Sequence, residues 1–342
     1  MKIIIDAMGG DNAPQAFLEG GFRAAQELGV EVVLIGRVEQ LLGILKEQGV
    51  ETLPKGVELM DAEQVVDMHD DPATVVRTKK ESSMVKGLKL LADGGGDAFV
   101  SAGSTGGLLS AATLVVKRVR GIRRAAFGPA IPMKTGSVIL IDSGANVECT
   151  PEFLLQFGCM GSFYAKLTLG MEHPRVALLN NGAEDSKGDP LHRESYQLLK
   201  EASEKGILNF VGNIEGREAM LGGCDVLVAD GFSGNIFLKG VEGTAMFMAS
   251  MMKQMLSRSL KSKIAGSLLH RDFQETMSVL DYRKVGGTML LGISKPVIKA
   301  HGSADTEAVL SAVKQAVAAV NAGICEAISE NVEQMILPRE AR

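Results

Sequence analysis

Lys2-Ile3-Ile4-Ile5-Asp6-Ala7-Met8-Gly9-Gly10-Asp11-Asn12, running on into residues 13–28, decides the fold. A short β-branched run stops at an acid, passes through two glycines and becomes an amphipathic stretch with Pro14 near its start. That is a strand, a glycine turn and a helix whose first position tolerates a missing N–H. The same grammar recurs. Residues 31–35, 97–100, 137–141, 175–179, 207–211 and 225–228 read as strands. Residues 82–92, 107–119, 151–169 and 190–202 read as helices. The strands are near-continuous apolar runs, as expected where both faces are buried. Strand and helix in alternation imply an α/β fold, a mostly parallel sheet with helices on both sides.

Composition narrows the function. Forty of 342 residues are glycine, against the usual ~7%. Charged residues make up 23%, with a net charge of −5, which argues against a nucleic-acid binder working by bulk charge. Trp is absent, so a base-stacking platform is not expected. Cys149, Cys159, Cys224 and Cys325 are scattered without a CxxC pair, which suggests no zinc cluster and fits reduced thiols. No apolar run approaches the ~20 residues of a membrane span, and residues 1–6 are too short an apolar stretch to be expected to act as a secretory signal. No low-complexity linker divides the chain. Residues 1–335 are expected to form a single catalytic α/β/α unit.

Small polar loops follow the strands: 6–12, 101–107, 142–146, 180–188, 230–235 and 301–305. The carboxyl ends of parallel strands share one edge, where open α/β sheets bind ligands. Six such loops would line one crevice. Glycine lets backbone amides approach an anion, and helix N-termini favour one. The loop with Ser101, Gly103, Ser104, Thr105 and Gly106 is the best phosphate candidate, with Ser104 and Thr105 donating. Gly9 and Gly10 lie in the first loop. For any single loop the plain alternative is a tight turn. Nucleotide motifs are missing: there is no Gly-Lys dipeptide for a Walker loop and no GxGxxG after residue 5. Arg77, Lys79, Lys80, Lys187, Lys299 and His301 are the basic residues near these loops, and a cation there can neutralise phosphate or stabilise an oxyanion. Lys187 in particular is expected to serve so. Lys299 borders the last loop beside His301.

Residues 243–271 contain no acid, yet hold Lys253, Arg258, Lys261, Lys263 and Arg271. Met248, Met251, Met252 and Met255 recur at helical spacing in the same stretch. Residues 241–275 therefore read as an amphipathic helical segment suited to an anionic membrane surface or a partner subunit. An ordinary core helix is the plain alternative.

Taken in order, 6–11, 82–84, 101–107, 144–147, 230–235 and 299–302 resemble the bacterial phosphate acyltransferases. The resemblance spans nearly the whole chain. Ser104 stands where that family commonly has Asn, Ser233 where it has Thr, and Asn181 where it has an apolar residue. The resemblance implies a Rossmann-like three-layer fold akin to isocitrate-type dehydrogenases and phosphotransacetylases, with an amphipathic helical protrusion. It implies transfer of a fatty acyl group from acyl-acyl carrier protein to inorganic phosphate. It also implies a cytoplasmic homodimer at the membrane periphery, with a membrane glycerol-3-phosphate acyltransferase downstream. No metal or other cofactor, and no nucleic acid, is expected. Within it, Lys187, Asn146, Asp230 and His301 are the expected catalytic set. Gly9, Gly10, Arg77, Ser233 and Asn235 would contact substrate, and Met251, Met252, Met255, Lys253, Arg258 and Lys261 the membrane or second subunit. The nearest alternative is a phosphotransacetylase-like enzyme acting on acyl-CoA.

Overall fold

The computed structural model describes residues 1–134, 136–269 and 287–336. In chain order, β1 (Lys2–Asp6), α1 (Gln15–Leu28), β2 (Glu31–Gly36), α2 (Val38–Glu47) and β3 (Val57–Asp61) come first. Next are α3 (Val75–Thr78), α4 (Ser83–Ala92), β4 (Ala98–Ser101) and α5 (Thr105–Ala111), which continues through a π turn (Ala112–Val116). There follow β5 (Ala126–Gly128), β6 (Ala130–Pro132), β7 (Ser137–Ile141), α6 (Pro151–Leu169), β8 (Arg175–Leu179), α7 (Pro190–Glu204), β9 (Asn209–Ile214), α8 (Gly216–Met220) and β10 (Val226–Val228). The chain then forms α9 (Gly231–Ser257), α10 (Leu260–Leu268), β11 (Gly287–Leu291), β12 (Val297–Ala300), α11 (Thr306–Asn321) and α12 (Ile324–Glu330).

The strands form two sheets rather than the one expected. The first has order β3-β2-β1-β4-β12-β11-β5, the second β6-β7-β10-β8-β9. Both are parallel except at β11, which is antiparallel to β12 and β5, and at β6, which is antiparallel to β7. The chain passes between sheets over residues 126–132. Pro129 sits between β5 and β6 and has no N–H to donate, so neither ladder runs through it. Six strand ends therefore fall on two sheet edges.

Alternation within the strands explains the layering. Ile3 and Ile5 of β1 join Phe17 of α1, Val309 of α11 and Phe157 of α6 in one buried cluster that also takes Ile139 and Val226 from the second sheet. Ile4 points the other way, to Phe99 and Leu88 of α4. Val138 and Leu227 cover the opposite face of the second sheet, with Phe237 and Leu238 of α9 packed against them. Both faces of both sheets are thus covered, which is why their strands read as unbroken apolar runs.

Caps set the helix starts. Asp230, Asp305 and Asp189 accept from backbone amides at the heads of α9, α11 and α7. Helix α9 begins ten residues before the expected segment, because its cap is Asp230 itself. Of its 27 residues only Gly231 and Gly234 are buried. Arg271 and the rest of the segment to 275 lie outside the described residues. No single helix among the described residues is long and apolar enough to cross a membrane.

Candidate functional site

Three loops meet at the carboxyl edge of the first sheet. The Asp11 amide donates to the Gly302 carbonyl at 2.8 Å, and Asn12 Nδ2 to the carbonyls of Ser303 and Ala304 at 3.1 and 3.2 Å. The loop after β1 is thereby tied to the loop after β12. Gly9 lies so close to the loop after β4 that a Cβ there would sit 2.7 Å from the Gly103 nitrogen. Gly10 has φ +110°, which only glycine adopts at little cost. Gly9, Gly10, Ser101, Gly103 and His301 are thus brought together.

Beneath these loops lies a buried acid. Asp6 is 1% exposed. Its Oδ2 accepts from Ser101 Oγ at 2.7 Å and its Oδ1 from the Met8 amide at 3.2 Å. Burial pushes its pKa above the usual carboxylate range, opposed by bonds from Ser83, Ser101 and backbone amides. Ser101 spends its one hydroxyl proton on Asp6, and its oxygen accepts from the Gly103 amide at 3.0 Å. Ser104 caps α5, accepting from the Gly107 amide at 3.3 Å, and keeps its proton to donate. Thr105 is exposed. Arg77 is exposed on α3, which packs against α5.

Lys299, on β12 beside β4, donates to the carbonyls of Ala102 at 3.3 Å and of Ala300. Burial lowers its pKa to about 8. His301 sits at the exit of this strand, 2.9 Å from Ser303 Oγ through Nδ1. Its pKa is lowered by burial and then by the charge of Lys239 on α9.

Two loops of the second sheet form another group. The buried Asp142 carboxylate gathers the turn after β7. It accepts from the Asn146 amide at 2.6 Å, from Asn146 Nδ2 at 3.1 Å and from the Gly144 amide at 3.3 Å. It also accepts from the Phe127 amide of β5 at 3.0 Å, and Asn146 Nδ2 donates to the Ala125 carbonyl at 2.8 Å. These bonds fasten the turn to the edge of the first sheet. The loop after β10 rests on it: the Gly231 amide donates to the Asn146 carbonyl at 2.8 Å, and Asn235 Nδ2 to the Ser143 carbonyl at 3.0 Å. Asn146, Asp230, Ser233 and Asn235 are therefore neighbours. Asp230 acts as a cap, accepting from the Phe232 and Ser233 amides at 2.9 Å.

Lys187 stands apart on the loop after β8. It is 46% exposed, with Nζ 3.8 Å from Glu184 on the same loop. Beside that loop Asn213 is buried; its Nδ2 donates to the Glu184 carbonyl at 2.8 Å, while its Oδ1 has no hydrogen-bond partner among the described residues. Helix α9, which starts at the second group, brings the charges of Lys239 and Glu242 near His301 of the first. Sequence reasoning gave Asp6 and Asp142 no role of their own, and named Lys299 only as one of several cations bordering the loops. The available signal was an acid or lysine at the end of a strand apolar on both faces, which must find partners when buried.

At the tip, Met251 and Met255 are 50% and 60% exposed, while Met252 is half-buried. Lys253, Arg258 and Lys261 are exposed beside them. A groove of about 660 Å³ runs among Met248, Met251, Met252 and Met255. No group of three or more His, Cys, Asp or Glu residues among the described residues is placed to hold a metal.

Fold and site define a class: a Rossmann-like α/β/α protein with anion-suited glycine loops at its sheet edges. Among solved structures it is similar to a phosphotransacetylase from Streptococcus pyogenes, at TM-score 0.61 and 17% identity over 95% of this chain and 94% of that one. It is also similar to a 4-hydroxythreonine-4-phosphate dehydrogenase from Klebsiella pneumoniae, at TM-score 0.55 and 13% identity over 94% and 98%. At such identities the likeness establishes the fold.

The family follows from sequence. Residues 1–327 match the model of the fatty acid synthesis protein family, and the chain belongs to it. Two relatives are named phosphate acyltransferase. That of Bacillus licheniformis is 42% identical over 98% of this chain and 99% of its own. That of Thermoanaerobacterium thermosaccharolyticum is 39% identical, over 97% of each.

Proposed function

We propose that this protein is a phosphate acyltransferase, moving a fatty acyl group from acyl-acyl carrier protein to inorganic phosphate. The carrying observation is likeness over nearly the full chain, about 40% identity, to proteins of that name. The glycine loops at both sheet edges are consistent with it.

In this reaction a phosphate oxygen attacks the thioester carbonyl. The carbonyl carbon becomes tetrahedral and its oxygen takes the charge. The C–S bond then breaks, and the carrier's thiolate leaves and gains a proton from solvent. Acyl-phosphate and free carrier thiol are the products. Phosphate is already partly dianionic near neutrality, its second pKa being about 6–7 by analogy with phosphate esters. A strong general base is not needed. Positioning and a preorganised oxyanion site suffice.

The loop with Ser104, Thr105 and Gly106 takes the phosphate, with Ser101 and Gly103 shaping it and Gly9 and Gly10 closing over it. Lys187 steadies the oxyanion. Asn146, Ser233 and Asn235 orient the thioester and its phosphopantetheine arm, while Asp230 and His301 hold those loops. Arg77 approaches from α3. The two sheets work as one catalytic unit.

The finer setting is also our proposal. The apolar tip of α9 and α10, with its cations, seats a second copy of the chain and an anionic membrane surface. The protein then works as a cytoplasmic homodimer at the membrane periphery. A membrane glycerol-3-phosphate acyltransferase consumes the product.

The test is thiol release from a long-chain acyl-carrier protein with and without phosphate, with acyl-CoA run in parallel. Phosphate-dependent release from the carrier substrate supports the assignment. Release mainly from acyl-CoA moves it to the phosphotransacetylase reaction, and none from either removes it.

A further inference from the structure

Lys299 is a partly buried cation set into the first sheet edge. Strand β12 lies between β4 and β11, and Lys299 stands opposite Ser101 in the parallel register. An ammonium has three donors. Two go to the carbonyls of Ala102 and Ala300. Among the described residues it makes no ion pair. Asp6 of β1 and Asp11 of the following loop act on it through their charge, and Lys239 of α9 opposes it. Lys239 is itself bonded to Glu242 at 2.7 Å. His301, two residues on, feels the Lys299 charge as well. A cation placed so is costly unless an anion completes it. The carbonyl it holds, that of Ala102, belongs to the loop assigned to phosphate.

We propose that Lys299 is the counter-charge of the acceptor phosphate, bonding a phosphate oxygen through its third N–H while it holds the Ala102 carbonyl in place. The proposal rests on the phosphate acyltransferase function above and leaves Lys187 to the oxyanion. Phosphate binding then belongs to the first sheet and oxyanion stabilisation to the second.

The experiment varies phosphate in steady-state assays of the full-length wild type, Lys299→Met and Lys299→Arg, from about pH 6.5 to about pH 9.5. The wild-type KM for phosphate rises above about pH 8, as the ammonium loses its proton. Lys299→Met raises that KM roughly 10–100-fold near neutrality, with no further rise at high pH. Its KM for the acyl donor stays within about twofold. Lys299→Arg, charged throughout, binds phosphate better than the Met variant at high pH. Added phosphate raises the thermal midpoint of the wild type and not of Lys299→Met.

Unchanged phosphate KM in the Met variant overturns the proposal, as does an equal loss for both substrates. If Lys299→Met does not fold, the Arg variant decides: a phosphate KM rising with pH as in wild type overturns it. Wild type without phosphate-dependent thiol release overturns the reaction instead, and the phosphate-induced midpoint shift then tests Lys299 as an anion site.

Discussion

Ser101 Oγ donates to Asp6 Oδ2 at 2.7 Å, joining the last residues of two adjacent parallel strands beneath the glycine loops. Both side chains are buried, and the same hydroxyl oxygen receives the Gly103 amide. Ser101→Ala removes one hydrogen bond from the buried acid and takes away the acceptor of the Gly103 amide. We expect a loss of about 1–3 kcal/mol in urea unfolding. A change below about 0.5 kcal/mol would mean that water replaces the hydroxyl without penalty.

Lys299 also makes stability depend on pH. Its folded pKa, about 8, lies below the ordinary lysine value. Between the two values the unfolded chain binds more protons, so this residue's contribution rises with pH across that window. Below about pH 8 the full cost of burying the charge is present. The stability of wild type relative to Lys299→Met should therefore increase from about pH 7.5 to about pH 10, and paired urea titrations read the difference. A flat difference would show that Lys299 titrates normally.

Lys187→Ala should lower kcat by about a hundredfold or more while leaving phosphate KM within a fewfold. The thermal midpoint should not move, because the exposed Lys187–Glu184 pair carries little stability. Turnover near the wild-type value would remove Lys187 from the mechanism.

Gly234→Ala tests how closely α9 approaches the turn after β7. A Cβ at Gly234 would lie 1.9 Å from the Asp142 carbonyl oxygen. The backbone itself must move, and we expect about 3 kcal/mol of destabilisation. Midpoint shifts in thermal unfolding check it. An unperturbed midpoint would mean that the helix slides away freely.

Met251→Glu with Met255→Glu should weaken sedimentation with anionic vesicles severalfold while leaving the unfolding midpoint alone, since both side chains are half exposed or more. Lys253→Glu with Lys261→Glu should do the same in a salt-sensitive way. Equal vesicle binding by all forms would confine this face to subunit contact.

The repeating strand and helix pattern was legible because burial on both faces writes strands as unbroken apolar runs. Residues 2–5, 31–35, 137–141 and 175–179 coincide with β1, β2, β7 and β8. Strands β5, β6 and β11 were not legible. They are three to five residues long and acquire their identity only by pairing with partners distant in sequence. The division into two sheets follows from those strands, so it was invisible too. Of the site, the glycine loops announced themselves. The roles of individual polar residues did not: a serine such as Ser101 looks the same whether its proton faces a ligand or Asp6. Lys299 was legible as the first residue of the 299–302 stretch, but its lack of an ion pair among the described residues appears only when strands β1, β4 and β12 are set side by side.

Helix α9 is held along its first three turns, by Gly231 and Gly234 against the turn after β7 and by Phe237, Leu238 and Val241 against the second sheet. Its 27 residues make a rod about 40 Å long. A rod clamped at one end is a lever: tilting the free part by about 5° at the end of the clamp carries the methionine tip through roughly 2 Å. The reverse also holds: any load that settles the tip bears on the Asn146 and Asp142 backbone, so under the proposed function landing on a surface and setting the proposed thioester cradle are one mechanical event.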